Sequence, residues 1–142
     1  REVIVENGGD IFLAASSQRL VAVHAGNSPL SGRIAIEIDP QRTPLGVCTS
    51  SGTVGHSMSF GYADAVTVLS RSTALADAAA TAIANLIRTD GDIPRGLELG
   101  KGIAGLEGVV IIKGRKMGAW GDVVLSKAPT GRAPAKKNSA MR

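Results

Sequence analysis

The stretch AVTVLSRSTALADAAATAIANLI, residues 65–87, decides the fold class of this chain. Its first five residues are apolar or β-branched, which predicts a strand. Ser72 or Thr73 can cap the helix that follows, and its many alanines favour a thin helix that can approach a sheet closely. We expect Asp90 and Pro94 to end this helix. Its spacing predicts a buried stripe made of Leu75, Ala79, Ala82, Ile83, Leu86 and Ile87.

Short apolar segments on both sides of this unit predict further strands. Residues 33–38 alternate isoleucine with other residues, which is typical of a half-buried strand. Residues 95–107 indicate no more than one short helical turn. Further strands are predicted at residues 3–5, 11–15, 20–25, 46–49, 109–112 and 117–125. The sequence therefore predicts an α+β fold, a mostly antiparallel sheet with one long Ala-rich helix packed on it.

The chain has 142 residues, of which 44% are hydrophobic, enough for the core of one domain. We predict that this domain occupies residues 1–126 and that residues 127–142 form a disordered basic tail, with five basic residues and no acidic one. The first 126 residues carry 11 basic and 12 acidic residues. Because the positive charge lies in the tail and aromatics make up only 3%, we predict that the domain does not bind nucleic acid.

Other features narrow the class of protein further. No apolar run approaches the roughly 18 residues of a membrane helix, and no leader is visible, so no membrane and a cytoplasmic location are predicted. The single cysteine, Cys48, excludes an internal disulfide framework and a cysteine-built metal site. We expect it to be a small buried residue.

Two glycine motifs and two histidines are further candidate sites. Residues 100–105 fit the GxGxxG spacing, but a predicted strand follows them, so a glycine-rich connection is favoured over a dinucleotide fingerprint. Residues 55–59 approach GxSxG but end in serine and lack the strand–turn–helix context. His24 lies in a predicted strand and is expected to be packed. His56 lies in a polar loop, and its sequence context favours a functional role and a structural role about equally.

Asp77 and Thr81 are four residues apart, so they share one face of the predicted helix. A carboxylate and a hydroxyl at this spacing can hold one hard cation, and Mg²⁺ takes oxygen ligands together with water and phosphate. An exposed polar helix face would look the same, and the pattern alone favours that interpretation.

The order of several motifs resembles the ApbE-like family, which contains the FAD:protein FMN transferases. The motifs are Gly-Gly-Asp-Ile at 8–11, Ile-Glu-Ile-Asp-Pro at 36–40, Thr-Ser-Ser-Gly at 49–52, Ala-Val-Thr-Val at 65–68 and Ala-Asp-Ala-Ala-Ala-Thr-Ala at 76–82. The wording around the first and third motifs is most similar to the family's soluble, functionally uncharacterised branch. The resemblance runs from about Val3 to Leu86.

This resemblance implies a fold in which a flavin nucleotide lies across the sheet. It implies that Asp77 and Thr81 serve a magnesium site, and that FMN is transferred from FAD to a threonine or serine of an acceptor protein while AMP leaves. The general base would be His56. The nucleotide site would be lined by Gly8, Gly9, Asp10, Thr49, Ser50, Ser51 and Gly52.

Two departures from the family leave alternatives open. Only residues 53–62 stand where the transferases have a longer segment, and the family's N-terminal half is absent. We therefore expect that a missing N-terminal half or a partner chain completes the site, and a homo-oligomer stays open. The alternative function is a non-catalytic nucleotide-binding or structural protein that retains the scaffold.

Overall fold

The computed structural model describes residues 2–51 and 63–129. They form a layer of two helices, a six-stranded sheet and a three-stranded sheet, with the larger sheet in the middle. The helices are α1 (Thr73–Ala84) and α2 (Ile93–Lys101), and short 3-10 turns cover Pro40–Arg42 and Asp90–Asp92. The strands are β1 (Val3–Asn7), β2 (Asp10–Ala14), β3 (Arg19–Ala22), β4 (Ile34–Ile38), β5 (Leu45–Ser50), β6 (Ala65–Ser70), β7 (Leu106–Lys113), β8 (Lys116–Gly121) and β9 (Val124–Lys127).

Every strand pair in the described chain is antiparallel, which confirms the predicted α+β class. The larger sheet has the order β1-β2-β5-β6-β7-β8 and the smaller one β3-β4-β9. Strand β6 is buried along its whole length. Its alternate residues enter two separate cores, since Val66 and Val68 pack with the helices whereas Ala65 and Leu69 pack between the sheets.

Helix α1 begins where the sequence predicts, but it ends at Ala84, before Leu86, Ile87 and the predicted end at Asp90. Ser72 caps it, because the Ser72 side chain accepts a 3.1 Å hydrogen bond from the Leu75 backbone N–H. Ala82 is exposed, so the prediction of a buried Ala82 was wrong: it lies about 100° around the helix from the buried Ile83. The buried face is formed by Ala76, Ala79, Ala80, Ile83 and Ala84.

The prediction of only one helix was wrong. Pro94 does not end α1 but lies in the first turn of α2, where a proline is tolerated because its missing N–H would have no partner. Gly96 and Gly100 allow α2 to lie close to the sheet. A Cβ added at Gly96 would lie 2.7 Å from Ile111 Cδ1, and one at Gly100 would lie 2.8 Å from Val109 Cγ2.

The C-terminal strands differ in part from the predicted meander. Strands β7 and β8 form the expected hairpin around Gly114. Strand β9 instead leaves the larger sheet and pairs with β4. Lys127, the first residue of the predicted tail, ends β9, and residues 130–142 lie outside the described residues. In the described ranges, neither helix is long and apolar enough to cross a membrane.

Candidate functional site

A cleft of about 1060 Å³ opens beside the β1–β2 hairpin, the end of β5 and one face of α1. Its apolar wall includes Ile4, Leu20 and Val21. Its polar lining includes Glu6, Asn7, Asp10, Arg19, His24, Thr49, Ser50, Ser51, Asp77, Thr81 and Asn85, together with Gly8 and Gly9.

The two glycines form the hairpin turn at this cleft, each for its own reason. Gly8 has a φ of 62°, a conformation that favours glycine, while nothing crowds its Cβ position. Gly9 is required by close approach: an added Cβ would lie 2.4 Å from the Thr49 carbonyl oxygen. The Thr49 N–H donates a 2.9 Å hydrogen bond to the Gly9 carbonyl. This turn therefore fixes the start of β2 against the end of β5.

The acidic floor of the cleft is formed by Asp10 and Asp77. Asp10 is paired with Cys48 across β2 and β5, which directs both side chains to the face covered by α1. The helix can approach because β5 has Gly46 there, where an added Cβ would lie 2.7 Å from Thr73 Cα. Helix α1 thereby places Asp77 near enough to Asp10 for its charge to act on the Asp10 carboxyl group.

This proximity changes two pKa values. Partial burial, followed by the neighbouring charge of Asp77, raises the pKa of Asp10. Burial, with smaller contributions from Asp10 and Asp77, raises the pKa of the Cys48 thiol to about 12. The thiol also donates a 3.4 Å hydrogen bond to the Thr73 carbonyl. Cys48 is therefore a buried, protonated residue, which agrees with its predicted role.

Thr81 continues the polar face of α1. Its hydroxyl donates a 3.2 Å hydrogen bond to the Asp77 backbone carbonyl, so the lone pairs of Thr81 Oγ1 remain available to a cation. Both Asp77 and Thr81 are exposed to solvent in the cleft. They can therefore be reached by a ligand without rearrangement of the helix.

The hydroxyl-bearing end of β5 divides into two parts. Thr49 and the buried Thr67 hydroxyl lie 2.8 Å apart, within hydrogen-bonding distance, which gives Thr49 a structural role. Ser50 and Ser51 lie beyond this pair and line the cleft. The structure thus places the two serines, more than Thr49, where a ligand can use their hydroxyl groups.

The charge of the cleft decides which ligands it can accept. Among the described lining residues, Glu6, Asp10 and Asp77 carry carboxylates, whereas the guanidinium of Arg19 is already paired with Glu2. The Arg19 Nε–H donates a 2.9 Å hydrogen bond to that partner. An anionic diphosphate would be repelled by this floor unless a cation came with it.

The donor set suits magnesium better than a metal that requires an all-protein cage. Residues 2–51 and 63–129 contain no group of three or more His, Cys, Asp or Glu side chains that could hold a metal. Mg²⁺ needs only one or two carboxylates when water and phosphate oxygens complete its octahedron. Asp10, Asp77 and the Thr81 hydroxyl fit that requirement.

The cleft brings together eight of the residues singled out from the sequence: Gly8, Gly9, Asp10, Thr49, Ser50, Ser51, Asp77 and Thr81. Gly52 and His56 lie outside the described residues, so their roles stay predictions. His24 was missed, because the prediction of a packed histidine within a strand was wrong. Strand β3 ends at Ala22, and His24 is exposed in the cleft.

Comparison with known proteins identifies the family of this chain. A family model described as AbpE bacteria matches residues 1–98, well over half of the chain. The chain belongs to this AbpE family. The match supports the ApbE-like resemblance at the level of the family and specifies no reaction.

The chain is similar to several proteins that carry the name UPF0280. A UPF0280 protein of Methanoculleus marisnigri is 46% identical over 125 residues, which cover 84% of this chain and 48% of the relative. A UPF0280 protein of Methanocaldococcus jannaschii is 42% identical over 128 residues, covering 87% and 52%. The chain thus spans about half the length of the relatives it matches.

Proposed function

We propose that this chain forms the magnesium-dependent half of a flavin-nucleotide site, and that the completed site transfers FMN from FAD to a threonine or serine hydroxyl of an acceptor protein. A cytoplasmic location and an ApbE-like arrangement of flavin across the sheet are parts of the same proposal. The observation that carries it is the convergence of the Gly-Gly-Asp turn, Ser50 and Ser51 at the end of β5, and the Asp77–Thr81 face on one cleft.

The acidic floor supports a role for the metal. Asp10 and Asp77 would hold Mg²⁺ together with the Thr81 hydroxyl, and the ion would supply charge neutralisation at the phosphates. The cleft volume of about 1060 Å³ lies at the upper end of ordinary ligand pockets. Its apolar wall, which includes Ile4 and Leu20, would contact a planar ring, and Ser50 and Ser51 would donate hydrogen bonds to phosphate oxygens.

The proposed reaction is a phosphoryl-type displacement. The acceptor hydroxyl oxygen forms a bond to the FMN phosphorus, the bond from that phosphorus to the bridging oxygen breaks, and its electron pair leaves with AMP. The hydroxyl proton passes to a general base. His56 remains the proposed base, and His24, exposed in the same cleft, is the alternative.

The first test measures binding to the 142-residue chain. Thermal unfolding is followed with FAD, FMN or AMP, with Mg²⁺ or with EDTA. A ligand at 100 times its dissociation constant adds about 2.7 kcal/mol, which corresponds to about 10 °C in a domain of this size. We expect Asp77→Asn and Thr81→Val to remove the magnesium-dependent part. Glu98→Gln, an exposed carboxylate on α2 outside the cleft, is the matched control.

The second test measures transfer, with the other half of the family polypeptide and candidate acceptors added. Flavin fluorescence on the acceptor and AMP release are expected in equal amounts. His56→Asn and His24→Asn compared side by side identify the base through the pH dependence of the rate. Nucleotide stabilisation that persists in EDTA and in Asp77→Asn would refute the metal role.

A scaffold without chemistry is the second candidate, and one observation favours it. Gly8, Gly9 and Thr49 all have structural explanations in the turn and in the Thr49–Thr67 pair. Nucleotide binding without AMP release, in the completed protein, would select a binding module. Absence of any stabilisation by FAD, FMN, AMP or ATP with Mg²⁺ would select a structural protein.

A further inference from the structure

Strand β1 is an edge of the larger sheet whose sequence does not suit an edge. Val3, Ile4 and Val5 are consecutive apolar residues, and adjacent strand residues point to opposite faces. Such an uninterrupted run is typical of a strand covered on both faces, as β6 is. All five residues of β1 are nevertheless exposed.

The exposure is large for apolar side chains. Val3, Ile4 and Val5 are 42%, 52% and 56% exposed, and Leu20 of β3 is 46% exposed. Ile4 and Leu20 both line the cleft, so the exposed apolar surface of β1 is continuous with the apolar wall of the cleft. Strand β1 has no lysine and no proline to protect its edge from pairing, and its one charged residue, Glu6, lies at the end next to the turn, away from the apolar run.

The length of the relatives indicates what covers this edge. The match spans 48% and 52% of two relatives, so each has about as much chain again outside the matched region. In the described part of this chain, no strand pairs with the outer edge of β1. An extended segment added there would complete the backbone hydrogen bonds of β1 and cover its apolar side chains.

We infer that β1 is the docking edge for the half of the AbpE-family polypeptide that lies outside the matched region. That half adds a strand to β1 by backbone pairing, covers Ile4 and Leu20, and closes the cleft. The inference holds whether that half is joined to this chain or is a separate polypeptide. It is independent of flavin chemistry, since it concerns the sheet edge alone.

The test is reconstitution of the 142-residue chain with the non-matching half of the Methanoculleus marisnigri relative. Light scattering is expected to show a one-to-one complex. Since β2 already pairs with one edge of β1, the informative amides are those of Val3–Asn7 that point away from β2, and their hydrogen exchange is expected to slow at least tenfold. In the isolated chain these amides are expected to exchange rapidly. If the added half is insoluble alone, the same exchange measurement is made on a fusion that joins the two parts through a flexible Gly/Ser linker.

Matched variants locate the interface. Ile4→Lys and Val5→Lys, which lie on opposite faces of β1, are each expected to weaken the complex at least tenfold. Leu99→Lys is the control. Leu99 is 37% exposed on α2, and α2 packs on β7 and β8, at the edge of the sheet opposite to β1. Circular dichroism verifies that each variant is folded.

Three outcomes would overturn the inference. The first is a folded chain that forms no complex and gains no protection in the fusion. The second is a complex that β1 variants leave unchanged. The third is protection, in the isolated chain, of the β1 amides that point away from β2, either by a symmetric dimer through β1 or by another part of the same chain.

Discussion

The turn at Gly8 and Gly9 gives a sharp prediction, because two neighbouring glycines are required for different reasons. In Gly9→Ala, the new Cβ would lie 2.4 Å from the Thr49 carbonyl oxygen, which is backbone and cannot rotate away. Overpacking of this kind costs about 1–3 kcal/mol. Displacement would also weaken the 2.9 Å hydrogen bond from the Thr49 N–H to the Gly9 carbonyl, worth about 0.5–1.5 kcal/mol.

The expected destabilisation of Gly9→Ala is therefore about 1.5–4.5 kcal/mol, or a fall in Tm of about 6–18 °C for a domain of this size. Gly8→Ala is the matched control. Its Cβ meets nothing within 4 Å, so it should cost only the left-handed conformation, about 1–2 kcal/mol. Both variants reduce the entropy of the unfolded chain equally, so that effect cancels in the comparison.

Thermal and urea unfolding followed by circular dichroism provide the measurement. If Gly9→Ala proves as stable as Gly8→Ala, the close contact between the turn and β5 does not exist. A cleft formed by Asp10 beside Ser50 would then lose its structural basis.

Three further predictions concern α1 and the residues beneath it. Ser72→Ala removes the side chain that accepts the Leu75 N–H and should lower stability by about 1 kcal/mol in urea unfolding, whereas an equal loss in Thr73→Ala would contradict the assignment of the cap. At pH 8, a pKa of about 12 leaves about one Cys48 thiol in 10,000 ionised, whereas an ordinary pKa of 9.0 leaves about one in ten. Iodoacetamide should therefore modify Cys48 at least 100-fold more slowly in the native protein than in urea. Similar rates in the two states, measured by mass spectrometry, would show that the thiol is open to solvent. A raised pKa of Asp10 means that native stability falls as pH rises through its titration above 3.8, so Asp10→Asn should stabilise the metal-free chain at pH 7 and also reduce its stabilisation by Mg²⁺. Calorimetry with and without EDTA checks both signs, and a destabilised metal-free variant would refute the unfavourable effect of burial and of the Asp77 charge.

The elements that the sequence predicts well are those whose signal is local. The strand at residues 65–70 and the helix after it combine β-branched residues, a capping serine and an alanine-rich apolar stripe, all within one stretch. The Gly8–Gly9 turn is equally local, since two glycines between short apolar segments are typical of a hairpin.

Helix α2 could not be predicted from local propensity. Gly96 and Gly100 lower the helix propensity of the segment, and they are favourable only because Ile111 and Val109 of β7 lie against them. From the sequence alone, Pro94 indicates the end of a helix. Only the structure shows that a second helix, α2, begins at Ile93 and that Pro94 lies in its first turn.

The second sheet and the acidic floor depend on contacts distant in sequence. Strand β9 pairs with β4, some ninety residues earlier, although its own pattern fits a continued meander equally well. The family resemblance gives Asp10 and Asp77 separate roles, Asp10 in the nucleotide site and Asp77 in the magnesium site. Only the pairing of β2 with β5, and the packing of α1 on them, shows that the two carboxyl groups interact.

The protonated, buried state of Cys48 has a practical consequence for studying the docking of the other half. Because it is the chain's single cysteine and is expected to resist maleimides, a dye can be directed to one engineered surface cysteine without first mutating the native thiol. Two such labels, one on each half, would allow energy transfer to report assembly at β1 in real time, with the natural core left intact.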